Sequence, residues 1–126
     1  MKALIDTDIL VDFFHKNDKA RKVFEELALK ENSAGVSVIT VGELFAGKEC
    51  LDEKRERLVE KTLNYMPYFG VNSQIARKAG EFCRNYNVKL DDALIASTAF
   101  NFKLILFTRN IKDFSKIKEI SVKKPY

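Results

Sequence analysis

The sequence predicts an α/β fold, a three-layer α/β/α sandwich around a mainly parallel sheet, and three observations carry that prediction. Apolar runs at residues 3–5, 36–39 and 104–107 are too short to stand as helices and read as buried strands. They alternate with longer segments whose apolar residues recur at helical spacing, and such alternation builds a parallel sheet covered on both faces. The chain has 126 residues, 46% of them hydrophobic, which is enough for one sizeable core and argues against disorder. Residues 1–126 therefore read as one domain.

The first strand, Ala3-Leu4-Ile5, runs into two carboxylates, Asp6 and Asp8. A short helix over 9–14 follows, with Asp12 as its polar break, and Asp8 has the chemistry of its N-cap. Asn17 and Asp18 open the next helix. In it Ala20, Val23, Phe24 and Leu27 share one face, opposite Arg21, Lys22, Glu25 and Glu26, and Asn32, Ser33 and Gly35 end it. After the strand at 36–39, Thr40 and Glu43 have capping-box spacing at the head of a third helix. Residues 51–65 form a charged amphipathic helix, and a short strand falls within 66–71. Asn72 or Ser73 caps a helix whose core stripe is Ile75, Ala76, Ala79, Phe82, Cys83 and Tyr86. The segment 91–99 is small or apolar nearly all round, so it is a buried helix, with Asp91 as its natural cap and Asp92 inside its first turn. The strand at 104–107, a short turn or helix at 112–114, an edge strand at 117–122 and a polar tail complete the chain.

Composition narrows the chemistry. No apolar run reaches membrane-spanning length and the N-terminus lacks a signal-peptide layout, so a cytoplasmic protein is expected, without a membrane partner. Cys50 and Cys83 have no ligand spacing and read as packing residues. Twenty-two basic against 18 acidic residues give a net charge of +4, compatible with a nucleic-acid partner. His15 is the sole histidine, which excludes a paired-histidine mechanism and a His-rich metal site.

Hydrolysis would then rest on carboxylates. Asp6, Glu43, Asp92 and Asp113 each follow a strand or open a helix near one, and parallel strands bring such positions to one sheet edge. Acids crowded there repel one another and call for a divalent cation; an all-oxygen donor set suits Mg2+ or Mn2+. Such an ion activates water and neutralises charge on a phosphate.

Four segments carry a family resemblance: Leu4-Ile5-Asp6-Thr7-Asp8-Ile9-Leu10; Ile39-Thr40-Val41-Gly42-Glu43-Leu44 with Gly47; Asp92-Ala93-Leu94-Ile95-Ala96 with Thr98-Ala99; and Phe107-Thr108-Arg109-Asn110-Ile111-Lys112-Asp113-Phe114. In this order, along the whole chain, they resemble PIN-domain proteins, specifically the VapC-type toxins of toxin–antitoxin pairs. The resemblance implies a PIN-like domain over 1–126, Mg2+- or Mn2+-dependent endoribonuclease activity on RNA, a homodimer, and inhibition by a VapB-type antitoxin. Asp6, Glu43 and Asp92 take the family's acidic positions. The fourth is Asn110 or Asp113, with the carboxylate preferred. Thr7, Asp8 and Thr108 match polar positions that orient ligands or water. Arg109 is either a contact to substrate phosphate or a surface charge.

Two other readings stand beside this one. Asp6-Thr7-Asp8 also resembles the nucleophile motif of haloacid-dehalogenase-type phosphatases, in which the first Asp is phosphorylated, but Leu10 stands where that motif wants Thr or Val. A catalytically inactive PIN-fold binding module is the second, though such a scaffold should have lost some of these acids. Phe13, Phe14 and Phe45 either offer an antitoxin helix a groove or fill the core.

Overall fold

Three consecutive buried residues, Ala3, Leu4 and Ile5, set the layering of the fold, because side chains of a strand alternate between the two faces of its sheet. The computed structural model describes residues 2–30 and 33–126. Its elements are β1 (Ala3–Ile5), α1 (Thr7–Phe14), α2 (Asp18–Ala28), β2 (Ala34–Ser37), α3 (Val38–Ala46), a 3-10 turn (Lys48–Cys50), α4 (Glu53–Leu63), β3 (Tyr68–Phe69), α5 (Ser73–Tyr86), α6 (Leu90–Phe102), β4 (Ile105–Phe107), α7 (Ile111–Phe114) and β5 (Ser121–Lys123). The strands lie in the order β3-β2-β1-β4-β5, and every neighbouring pair is parallel. Leu4 joins a core with Ala79, Phe82, Ala96, Leu106 and Phe114, under α5, α6 and α7. Ala3 and Ile5 join the opposite core, with Ile9, Leu10, Val36, Leu44, Val59 and Leu63, under α1, α3 and α4. This is the α/β/α sandwich with a parallel sheet that the sequence predicts.

Several boundaries differ from the local reading, and the hydrogen bonds at each one give the reason. α1 begins at Thr7, since the Asp6 carboxylate accepts the Thr7 N–H at 2.8 Å and caps the helix; Asp8 lies inside the first turn. β2 stops at Ser37, whose Oγ accepts the Ile39 N–H at 3.0 Å, so the β-branched pair Val38 and Ile39 is helical. Thr40 is then a fully buried interior residue, and Thr40 with Glu43 is not a capping box. α2 ends at Ala28, before Ser33, whose hydroxyl donates to Leu27 O at 2.6 Å; Gly35 belongs to β2, and Asn32 lies outside the described residues. α6 begins at Leu90, its first backbone bond running from Ala93 N–H to Lys89 O at 2.8 Å, so Asp91 lies within the first turn and is not the cap.

Cys50 and Cys83 are free and half-buried against the two cores. His15 is exposed and hydrogen-bonds Glu49 at 2.8 Å. Phe13 packs its ring on Phe14 and Phe24, whereas Phe45 is 39% exposed. Among the described residues no helix is long and apolar enough to cross a membrane.

Two glycines separate close approach from mere flexibility. A Cβ at Gly35, buried in β2, would overlap the Phe69 ring and come within 3.0 Å of Pro67 O. A Cβ at Gly80, inside α5, would meet nothing within 4 Å. Gly35→Ala should therefore cost about 1–3 kcal/mol through overpacking, while Gly80→Ala should gain about 0.5–1 kcal/mol by restricting the unfolded chain and favouring helix. Urea unfolding of the two variants checks both signs; a neutral Gly35→Ala would show that β3 yields freely.

Candidate active site

The sheet changes direction between β1 and β4: from β1 the chain winds to β2 and β3 on one side, and from β4 to β5 on the other. The crevice beyond the carboxyl ends of strands at such a switch point is where open α/β sheets bind ligands. Asp6 leaves β1 there and Thr108 leaves β4 beside it.

Asp6 is only 7% exposed. Its Oδ1 accepts the Thr7 N–H and its Oδ2 accepts the hydroxyl of fully buried Thr108 at 2.7 Å. Thr108 Oγ1 in turn accepts the Asn110 N–H at 3.0 Å, so one hydroxyl shapes the turn after β4 and orients Asp6. Asp8, next along α1, accepts the Arg109 N–H on Oδ2 at 3.0 Å; its Oδ1 is buried and has no hydrogen-bond partner among the described residues. Thr7 binds α1 to α3: its hydroxyl donates to Glu43 Oε1 at 2.7 Å and lies 3.1 Å from the buried Thr40 hydroxyl. A carboxylate only accepts, so the Thr7 proton goes to Glu43 and the Thr40 proton completes the chain.

Asp6, Glu43, Asp92 and Asn110 line one open cleft of about 380 Å3, together with Thr7, Asp8, Val11 and Asp12. Thr108 is buried behind it. Asp113 is not among the lining residues: its Oδ2 accepts from Asn110 Nδ2 at 3.1 Å, and Lys116 lies 3.7 Å from its Oδ1. Arg109 stands at the rim, bonded to Asp12 at 2.9 Å. Asp12, Thr40 and Tyr126 were missed as site residues. Asp12 had a signal, being four residues beyond Asp8 and so on the same helix face. Tyr126 had none, since it reaches Asp12 only through tertiary structure.

The electrostatics follow from crowding. Burial raises Asp6 to about 7, aided by the Asp8 charge and opposed by the bonds from Thr108 and Thr7. Burial also raises Asp92 to about 6, with the charges of Asp91, Asp113 and Glu43 adding to it. Asp8 and Glu43 are raised by burial too, opposed chiefly by the Arg109 N–H and the Thr7 hydroxyl respectively. Among the described residues no group of three His, Cys, Asp or Glu side chains is arranged to hold a metal ion; Glu43 is engaged by Thr7, and Asp6 by Thr108. The donor set nonetheless fits a hard cation. The polar groups are all oxygen donors apart from the Asn110 amide, one carboxylate oxygen is buried without a partner among the described residues, and burial, with the neighbouring carboxylate charges adding to it, makes Asp6 and Asp92 hold their protons more tightly than usual.

The PIN domain family model matches residues 3–120. The chain is 31% identical to a chain of a toxin–antitoxin complex from Klebsiella pneumoniae, covering 99% of this chain and 98% of that one, with a TM-score of 0.83. It is 26% identical to a chain of VapBC2 from Rickettsia felis bound to a DNA fragment from their promoter, covering 98% of each, with a TM-score of 0.86. A chain of DNA-bound VapBC from Salmonella typhimurium is 25% identical, with 98% of this chain and 97% of that one covered and a TM-score of 0.83. No curated protein matches the chain.

The raised carboxyls make the metal-free fold sensitive to pH. Below 3.8 Asp6 is protonated whether the chain is folded or unfolded. Between 3.8 and about 7 the folded chain keeps a proton that the unfolded chain has released. Stability therefore falls as pH rises through that window and levels off above it. Asp92 contributes the same sign between 3.8 and about 6. In chelator, Asp6→Asn should lose the upper part of the decline, between pH 6 and 7, and melt higher than the parent at neutral pH. Parallel Tm profiles for the two proteins would overturn this account of Asp6.

Proposed function

Since the chain belongs to the PIN-domain family, we propose that it is a Mg2+- or Mn2+-dependent endoribonuclease and the toxin of a VapBC-type toxin–antitoxin pair. The observation that carries this reading is the gathering of Asp6, Glu43, Asp92 and Asn110, from four separate elements, in one cleft at the switch point of the sheet. The similarity to chains of VapBC complexes supports a VapB-type antitoxin as partner. We read the working form as a homodimer, as the resemblance implies, acting in the cytoplasm.

Asp6, Glu43 and Asp92 would hold the cation. For the fourth position the lining of the cleft favours Asn110 over Asp113: the Asn110 amide nitrogen is taken by Asp113, which leaves its oxygen as the donor and gives Asp113 the role of orienting it. A bound divalent ion supplies an activated water and neutralises charge developing on the phosphate. The chain's own residues prepare that chemistry. Thr108 fixes Asp6, Thr7 fixes Glu43, and the first turn of α6 presents Asp92.

The phosphatase alternative is disfavoured by the match to the PIN domain family over residues 3–120 and by Leu10, which stands where the phosphatase motif wants Thr or Val. An inactive module is disfavoured by the three carboxylates kept in one cleft.

RNA cleavage should vanish in EDTA and return with Mg2+ or Mn2+, while p-nitrophenyl phosphate is left intact. Asp92→Asn should lower cleavage at saturating Mg2+ at least about 100-fold, as for loss of a charge made essential by the metal, with Tm held or raised. Asp91→Asn should cleave nearly as well as the parent. Asp91→Ala should melt within about 0.5 kcal/mol of it, because no cap is lost. Cleavage that persists in chelator, or in Asp92→Asn, sinks the proposal; phosphatase turnover would revive the alternative.

A further inference from the structure

A nuclease with this cleft must draw an anionic phosphodiester towards a cluster of acids, yet among the described residues none that lines the cleft carries a positive charge. Lys89 acts on Asp92 through space. One cation, however, is tied down at the rim. Arg109 donates its backbone N–H to Asp8 Oδ2 at 3.0 Å and its Nη1 to Asp12 Oδ2 at 2.9 Å. The Tyr126 hydroxyl donates to that same Asp12 oxygen at 2.7 Å, and the Arg109 guanidinium carbon lies 5.8 Å from the centre of the Tyr126 ring. Asp12 therefore accepts from both side chains, while the aromatic face lies within cation–π reach of the guanidinium.

Each member is placed by a different part of the fold. Asp12 lies one helical turn beyond Asp8 on α1. Arg109 follows Thr108 at the end of β4. Tyr126 reaches them because β5 pairs Lys123 with Phe107 at the end of β4, three residues earlier in the chain. An exposed ion pair alone orders little, but Asp12 is only 20% exposed and the Tyr126 hydroxyl donates to the same oxygen that takes the guanidinium. Burial, and then the bond to Asp12, hold the phenol above its ordinary range, so it stays a donor. The Arg109 side chain is 49% exposed, and a guanidinium has five N–H groups, so donors remain for a ligand.

We propose that Asp12 and Tyr126 are positioning residues that hold Arg109 at the mouth of the cleft to receive a phosphate of the RNA substrate. The proposal rests on the nuclease reading and adds how the substrate is held. Fixing the guanidinium beforehand removes part of the ordering cost of binding, and its planar fork suits phosphate.

The test is a double-mutant cycle on steady-state cleavage of short single-stranded RNA of random sequence, at saturating Mg2+. Arg109→Ala should raise KM about tenfold and Tyr126→Phe about threefold, each with kcat within about twofold. Tyr126→Phe keeps the ring and removes only the hydroxyl, and Tm measures any loss of fold. In the Arg109→Ala background, Tyr126→Phe should have no further effect, because the two act as one unit. The salt dependence of RNA affinity should lose about 0.7 from its log–log slope in Arg109→Ala, as for one phosphate contact to a single strand. A Tyr126→Phe effect of equal size in both backgrounds, an effect on kcat alone, or an unchanged KM in Arg109→Ala overturns the inference while leaving the nuclease reading intact. A parent protein that cleaves no RNA removes both.

Discussion

The hydrogen bond from Thr108 Oγ1 to Asp6 Oδ2 joins residues 102 positions apart and ties the ends of the two central strands together. Asp6 sits at the end of a wholly buried strand with almost no contact with solvent, and an unsatisfied carboxylate there would be strongly destabilising. Two donors meet that need, one from its own helix and one from the residue that follows β4. The same threonine accepts from Asn110 and so fixes the turn that carries Arg109 and Asn110 towards the cleft. The site is therefore an extension of the sheet register: the parallel pairing of Ile5 with Phe107 brings Asp6 beside Thr108.

A second set of bonds places α3 against α1. Thr7 donates to Glu43 and meets Thr40, so the acid from the third helix is oriented by a hydroxyl one residue beyond the acid from the first strand. Together these bonds hold several acids in one buried cluster, and burial first, with the neighbouring charges adding to it, makes Asp6 and Asp92 keep their protons. Metal-free protein thus keeps an electrostatically unfavourable cluster that its packed strands are able to hold. Functional sites commonly trade stability for geometry in this way.

The legible parts of the sequence were those with short-range signals. Ala3-Leu4-Ile5 declared a buried strand, the small-residue run after Asp92 declared a buried helix, and strand–helix alternation declared a parallel three-layer fold. Asp6, Glu43 and Asp92 stood out because each read as following a strand or opening a helix, although Glu43 lies in the interior of α3. Helix starts were less legible. Ser37, not Thr40, caps α3, and Asp6, not Asp8, caps α1, since several favoured capping residues lay within reach of each start and local preference does not choose between them. Val38 and Ile39 read as strand by β-branching and became helix once Ser37 had capped.

By itself the sequence determined most of the apolar core, though Ala76 of its expected stripe is exposed, and with it the order of strands and helices and the supply of oxygen donors without a usable histidine pair. Those properties depend on residue type and on spacings of a few residues. Tertiary structure alone decided which donors share a wall. It set Asn110 on the cleft with its amide bonded to Asp113, and brought Tyr126, three residues beyond β5, across to Asp12 on α1. Such neighbours are fixed by strand register and helix packing over separations of up to 114 residues, and no local pattern in the chain encodes them.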